Sequence, residues 1–189
     1  MIGLKSMSQH LSALLRKSEK KLYRYLDVYK MNSNHIFIKM VLDRWNTSLN
    51  TCDKLLNELT DEQLQKEVAP GKNRGVYLLG HLIAVHDEML RLLDMGEKRY
   101  PEWYLIFHDS PDRVVAEIPS VQELKACWSN QCELIKQKFT SLPPEEWFEK
   151  HMAVSAEDFI KEPHRNKLNI ILTRTTHLNH HIGQLILLK

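Results

Sequence analysis

Apolar positions recur at helical spacing along most of the chain, and strict alternation is almost absent. From residue 34 to 59, Ile38, Val41, Trp45, Leu49, Cys52, Leu55 and Leu59 fall on one stripe at steps of three and four, which predicts an amphipathic helix. Thr60 and Gln63 have capping-box spacing and predict a short helical turn through 61–66. A loop with Pro70, Gly71 and Asn73 leads to a second helix over 75–95, stopped by Gly96. Ser120 and Glu123 form the next capping box and open a third helix, 121–142. Its stripe is Val121, Leu124, Trp128, Ile135, Phe139 and Leu142, and Pro143 with Pro144 ends it. A fourth helix covers 167–188. The links 97–119 and 143–166 are long for a compact domain, a length more typical of lids and substrate walls. The pattern predicts an all-α fold, a four-helix bundle.

Ahead of the bundle, Leu4, Met7, Leu11, Leu14, Leu22, Tyr25 and Tyr29 fall close to a seven-residue repeat among lysines and arginines. Residues 2–29 therefore read as an extra N-terminal amphipathic helix, dividing the chain into a basic extension, 1–30, and a bundle domain, 31–189. Docking on the body or on a partner chain is the plain reading of that helix. Attachment to a membrane surface and a biological start at Met31 are the alternatives.

Charge sharpens the division. Residues 1–30 carry seven basic side chains against Glu19 and Asp27, whereas 31–189 carry 19 basic against 22 acidic. A mildly acidic body lacks the electrostatic footprint of a nucleic-acid binder. With 189 residues, 43% hydrophobic and 26% charged, the composition is that of one globular domain. Cys52, Cys127 and Cys132 are odd in number and lack C-x-x-C spacing, so they read as small core residues of a reducing compartment. No signal-peptide pattern and no uncharged stretch long enough to span a bilayer is present; a cytoplasmic protein without a membrane span is expected.

The candidate chemistry lies in THLNHHIGQL, residues 176–185, which places His177, His180 and His181 in an otherwise apolar helix. At about 100° per residue, His177 and His181 share one border of the apolar face, about 6 Å apart along the axis, while His180 points to the polar side. Two imidazoles spaced i,i+4 can meet one ion, and a further ligand must come from another helix. In GVYLLGHLIAVHDEML, His81 sits on the border of the apolar arc and His86 inside it, so His81 is the better placed. Glu88, about 10.5 Å further along the axis, is a candidate supporting acceptor or distant acid/base. His10, His35, His108, His151 and His164 lie in surface-like stretches and are expected to be solvated. Arg174, about one turn before the pair, is a candidate for an anionic substrate group, or a snorkelling arginine at a helix edge. Gln184 is a candidate to contact substrate or orient a ligand, or merely bonds to the backbone. Trp103, Tyr104 and Trp128 are candidate pocket walls or core.

LLGHL around His81, the H-x3-H of THLNHHIGQL with Gly183 and Gln184 after it, and the PS-x-x-EL that opens the third helix resemble the DinB-like superfamily over residues 34–189. The resemblance implies an up-down-down-up bundle, commonly homodimeric, with His81, His177 and His181 holding a divalent metal ion such as Zn, Ni, Fe or Mn. It also implies a low-molecular-weight thiol as cosubstrate, since relatives include thiol transferases. The function expected is a metal-dependent S-transferase or hydrolase acting on a small-molecule substrate. The alternative is a metal-stabilised binding or stress-response module without turnover.

Overall fold

The computed structural model describes the backbone of residues 2–189 and the side chains from Arg16 onward, except those of residues 25, 27 and 30–32. It divides into two compact units, Met1–Met40 and Val41–Lys189. Helix α1 spans Ile2–Glu58 without a break. Separate helices over 2–29 and 34–59 were the expectation. The joining residues KMNS contain neither glycine nor proline, so nothing in them halts backbone hydrogen bonding. Of the expected N-terminal stripe, the side chains of Leu4, Met7, Leu11, Leu14 and Tyr25 lie outside the described residues.

In the second unit the helices are α2 (Asp61–Leu64), α3 (Gly75–Leu92), α4 (Pro101–Tyr104), α5 (Val121–Ser141), α6 (Ala156–Lys161) and α7 (Lys167–Leu185). Both predicted capping boxes are formed, Thr60 with Gln63 and Ser120 with Glu123, each satisfying two orphan donors of a helix start. α3 stops at Leu92, three residues earlier than predicted, because Asp94 already takes a left-handed backbone (φ 59°) ahead of Gly96 (φ 134°). The chain is all-helical among its described residues, and the second unit is a helical bundle whose long members are α3, α5, α7 and the part of α1 from residue 41 to 58.

α3 is the central element. Sixteen of its 18 residues are buried, and it packs against both α5 and α7. Trp45 of α1 meets His86 of α3 and Phe139 of α5 with ring centroids at 5.0 and 6.2 Å, and Phe139 in turn meets Trp147 of the second long link at 5.2 Å. Trp128, a candidate pocket wall, is core: it is 3% exposed and donates its indole N–H to Asp53.

The link between α3 and α5 is pinned along α3 rather than loose. Buried Asp87 accepts the backbone N–H groups of Arg99 and Tyr100 at 2.9 and 2.7 Å and the side-chain amide of Gln131 at 2.9 Å. At the other end Tyr77 donates its hydroxyl hydrogen to the Ser110 carbonyl (2.6 Å), and Arg74 forks onto Asp112. Between these anchors Leu105–Asp109 forms a π-helical turn, closed by the Ser110 N–H on the Leu105 carbonyl at 3.1 Å. Its position is what brings the link to the histidines.

Candidate metal centre

Gly80 makes the local architecture possible. A Cβ there would lie 2.5 Å from the Phe107 ring, so only glycine lets fully buried Phe107 settle onto α3 next to His81. The Phe107 carbonyl then accepts a hydrogen bond from His81 Nδ1 at 2.8 Å, which fixes the tautomer and leaves a lone pair on Nε2. On α7, His181 Nδ1 lies 2.7 Å from Gln184 Oε1, one turn on, and is fixed in the same way. His177 stands between them: its Nε2 is 3.1 Å from His81 Nε2 and 3.0 Å from His181 Nε2. Among the described residues these three form the group whose ligand atoms all lie within 4.8 Å of one another. His180 is exposed and does not join them.

All three rings are held neutral. Burial, reinforced by His181, His81 and Arg174, pushes the His177 imidazolium down to about 3. Burial takes His181 down to about 4 against the opposing hydrogen bond from Gln184. Burial also lowers His81, against the Phe107 bond. Neutrality exposes a conflict that packing alone does not resolve. The Nε2 atoms of His81 and His181 both carry lone pairs, and His177 has one ring proton for two close contacts. At least one of those contacts therefore sets lone pair against lone pair. His177 Nδ1, moreover, is buried with no hydrogen-bond partner among the described residues. Three converging ring nitrogens are what a cation satisfies, and two bonds of about 2.1 Å span about 3.0 Å at a right angle and about 3.4 Å at the tetrahedral angle. The residues fit a divalent ion.

Gln184, a candidate for contact with substrate, bonds to His181 through Oε1. Glu88 is buried and its carboxylate is engaged by Arg91 (2.9 Å, through Nε) and Lys98 (2.6 Å). Arg174 is partly buried one turn before His177; no hydrogen bond or ion pair joins its guanidinium to another of the described residues, and burial lowers its pKa from the usual arginine range. Trp103 stacks on Tyr100 at 4.6 Å. His151 is 9% exposed, not solvated as its loop setting suggests.

A second group was missed by the sequence reading. His108, on the π-helical turn, stacks on His81 with centroids 5.8 Å apart and planes 12° apart. Its Nε2 lies 3.2 Å from the Tyr104 hydroxyl and its Nδ1 2.8 Å from Asp109. The link carries no apolar periodicity, and the spacings 104, 108 and 109 become meaningful only once the segment is known to be helical. A groove of about 530 Å³ between α1 and α5, lined by Asn46, Asn50, Asp53, Ser129 and Glu133 among others, contains none of the three imidazoles.

Residues 44–185 match the DinB superfamily. A crystal structure of a conserved protein from Enterococcus faecalis superposes with a TM-score of 0.54 at 12% identity, covering 78% of this chain and 92% of that one, a likeness of fold. No curated protein matches the sequence.

Proposed function

Because the chain belongs to the DinB superfamily and its three neutral imidazoles converge, we propose that it is a divalent-metal-dependent enzyme, an S-transferase using a low-molecular-weight thiol or a hydrolase. The observation that carries the reading is the meeting of three Nε2 atoms, those of His81 and His181 aimed by the hydrogen bonds of Phe107 and Gln184. A bound zinc, nickel, iron or manganese ion would supply a Lewis acid that makes a thiol or water nucleophilic near neutral pH. His81, His177 and His181 hold the ion. Gln184 and the Phe107 carbonyl set the tautomers, as partners of metal-bound histidines commonly do.

The surroundings support a small anionic substrate. Among the described residues no acceptor takes the Arg174 donors, and a half-buried guanidinium with open donors suits a carboxylate or phosphate. Tyr104, His108 and Asp109 form a hydrogen-bonded chain against His81 that offers a proton donor or acceptor at the Tyr104 hydroxyl. A reducing, cytoplasmic setting and a homodimeric assembly go with this reading; Cys52 and Cys132 are buried, and burial pushes the Cys52 thiol up to about 12.

The test is consumption of a generic electrophile by tag-free protein reloaded with each metal, screened against a panel of small thiols. We expect thiol-dependent turnover that falls at least about 100-fold in His181→Ala. Metal-loaded wild type that consumes neither electrophile nor hydrolysable ester would favour the non-catalytic binding module.

A further inference from the structure

Residues 22–40 of α1 carry a face that the metal site does not use. Leu22, Leu26, Tyr29, Ser33, Ile36 and Met40 follow one another at steps of four, three, four, three and four, and the apolar five are 49% (Leu26) to 65% (Tyr29) exposed. A strict 3.5-residue average is the signature of a helix-to-helix seam, because an apolar row at that spacing stays aligned with a neighbouring helix and a 3.6-residue row does not. A lipid surface requires a broad face and no such register. Ser33, the polar member, turns its hydroxyl back to the Tyr29 carbonyl at 3.0 Å and is small enough to sit in a seam.

We propose that this face pairs with the same face of a second copy as an antiparallel coiled coil. Charge decides the orientation. Arg16, Lys17, Lys20 and Lys21 stand against Glu19 just ahead of the seam, with Arg24 in its first turn. A parallel pair would set the two basic stretches side by side. The antiparallel pair separates their centres by about 33 Å of helix, several Debye lengths at physiological salt. Apolar layers decide the register. Setting Leu22 opposite Met40 also sets Leu26 opposite Ile36 and Tyr29 opposite Ser33, so each bulky residue meets a complementary one and the pairing is symmetric about position 31. Tyr23 and Phe37, both exposed, then flank the same seam as an aromatic pair. Burying these side chains on both copies removes roughly 1,000 Å² from water, the lower bound for a specific interface.

The experiment uses the full chain. Sedimentation at tens of micromolar should give a dimer for the wild type, and a monomer of unchanged helical content for Leu26→Glu/Ile36→Glu, whose positions are exposed in one copy. Cysteine cross-linking reads the orientation: Leu22→Cys and Met40→Cys chains should each resist oxidation to a dimer alone and cross-link when mixed, since equivalent positions lie about 27 Å apart along the pair. An unchanged mass for the double glutamate variant overturns the proposal, as does self-cross-linking of Leu22→Cys. A wild-type monomer that instead binds phosphatidylserine vesicles overturns it in favour of a membrane surface.

Discussion

Neither ring nitrogen of His86 has a hydrogen-bond partner among the described residues, and the ring is fully buried between Trp45 and Trp128, each with its centroid 5.0 Å away. Burial, with Arg174 and the nearby histidines, holds its pKa well below the ordinary value. The native state therefore keeps His86 neutral while the unfolded state takes up a proton below about pH 6.5. The stability this represents is whole above that pH and is lost as pH falls towards the folded value, at about 1.4 kcal/mol per unit. Denaturant titrations from pH 7 to 4 should show His86→Leu with a shallower loss than wild type, and at pH 7 no less stable, since an orphaned polar ring has gone. Equal slopes would contradict this. Glycines give a paired prediction. Gly80→Ala forces the Phe107 ring away and should cost about 1–3 kcal/mol and weaken metal binding with it. Gly183→Ala meets nothing within 4 Å and should be neutral or stabilising by up to about 1 kcal/mol; thermal melts of both variants check the contrast.

At the scale of elements, the long helices were legible because their apolar rows are long and their caps are local: Ser120 and Glu123 announce α5 within four residues. The triad was legible for the same reason, as i,i+4 spacing and a border position are properties of single helices. What could not be read is what depends on the link from α3 to α5. The Phe107 carbonyl that aims His81, the π-helical turn and the Tyr104, His108 and Asp109 chain have no periodic signal, since they are placed by Asp87, Tyr77 and Arg74 from another element. Asp87→Ala tests that dependence. Leaving three donors without an acceptor should cost about 2–4 kcal/mol, and amide exchange should accelerate over residues 99–109 more than over α5. Uniform acceleration would mean that Asp87 supports the bundle as a whole instead.

Across the molecule, the bundle brings α3 and α7 together so that imidazoles 96 residues apart in sequence approach to 3.1 Å. Sequence could name the three histidines but not this distance, nor the continuity of α1 through residues 30–33. Among the described residues no helix is long and apolar enough to cross a membrane. Binding to the native state alone couples metal to folding, so saturating ion at about 100 times its Kd should add about 2.7 kcal/mol of stability. The most direct check is elemental analysis of tag-free protein, wild type beside His81→Ala and His177→Ala, after dialysis against trace metal. One divalent ion per chain in the wild type and almost none in either variant is the predicted result. Equal metal content in all three, whether high or negligible, would contradict a shared site on α3 and α7.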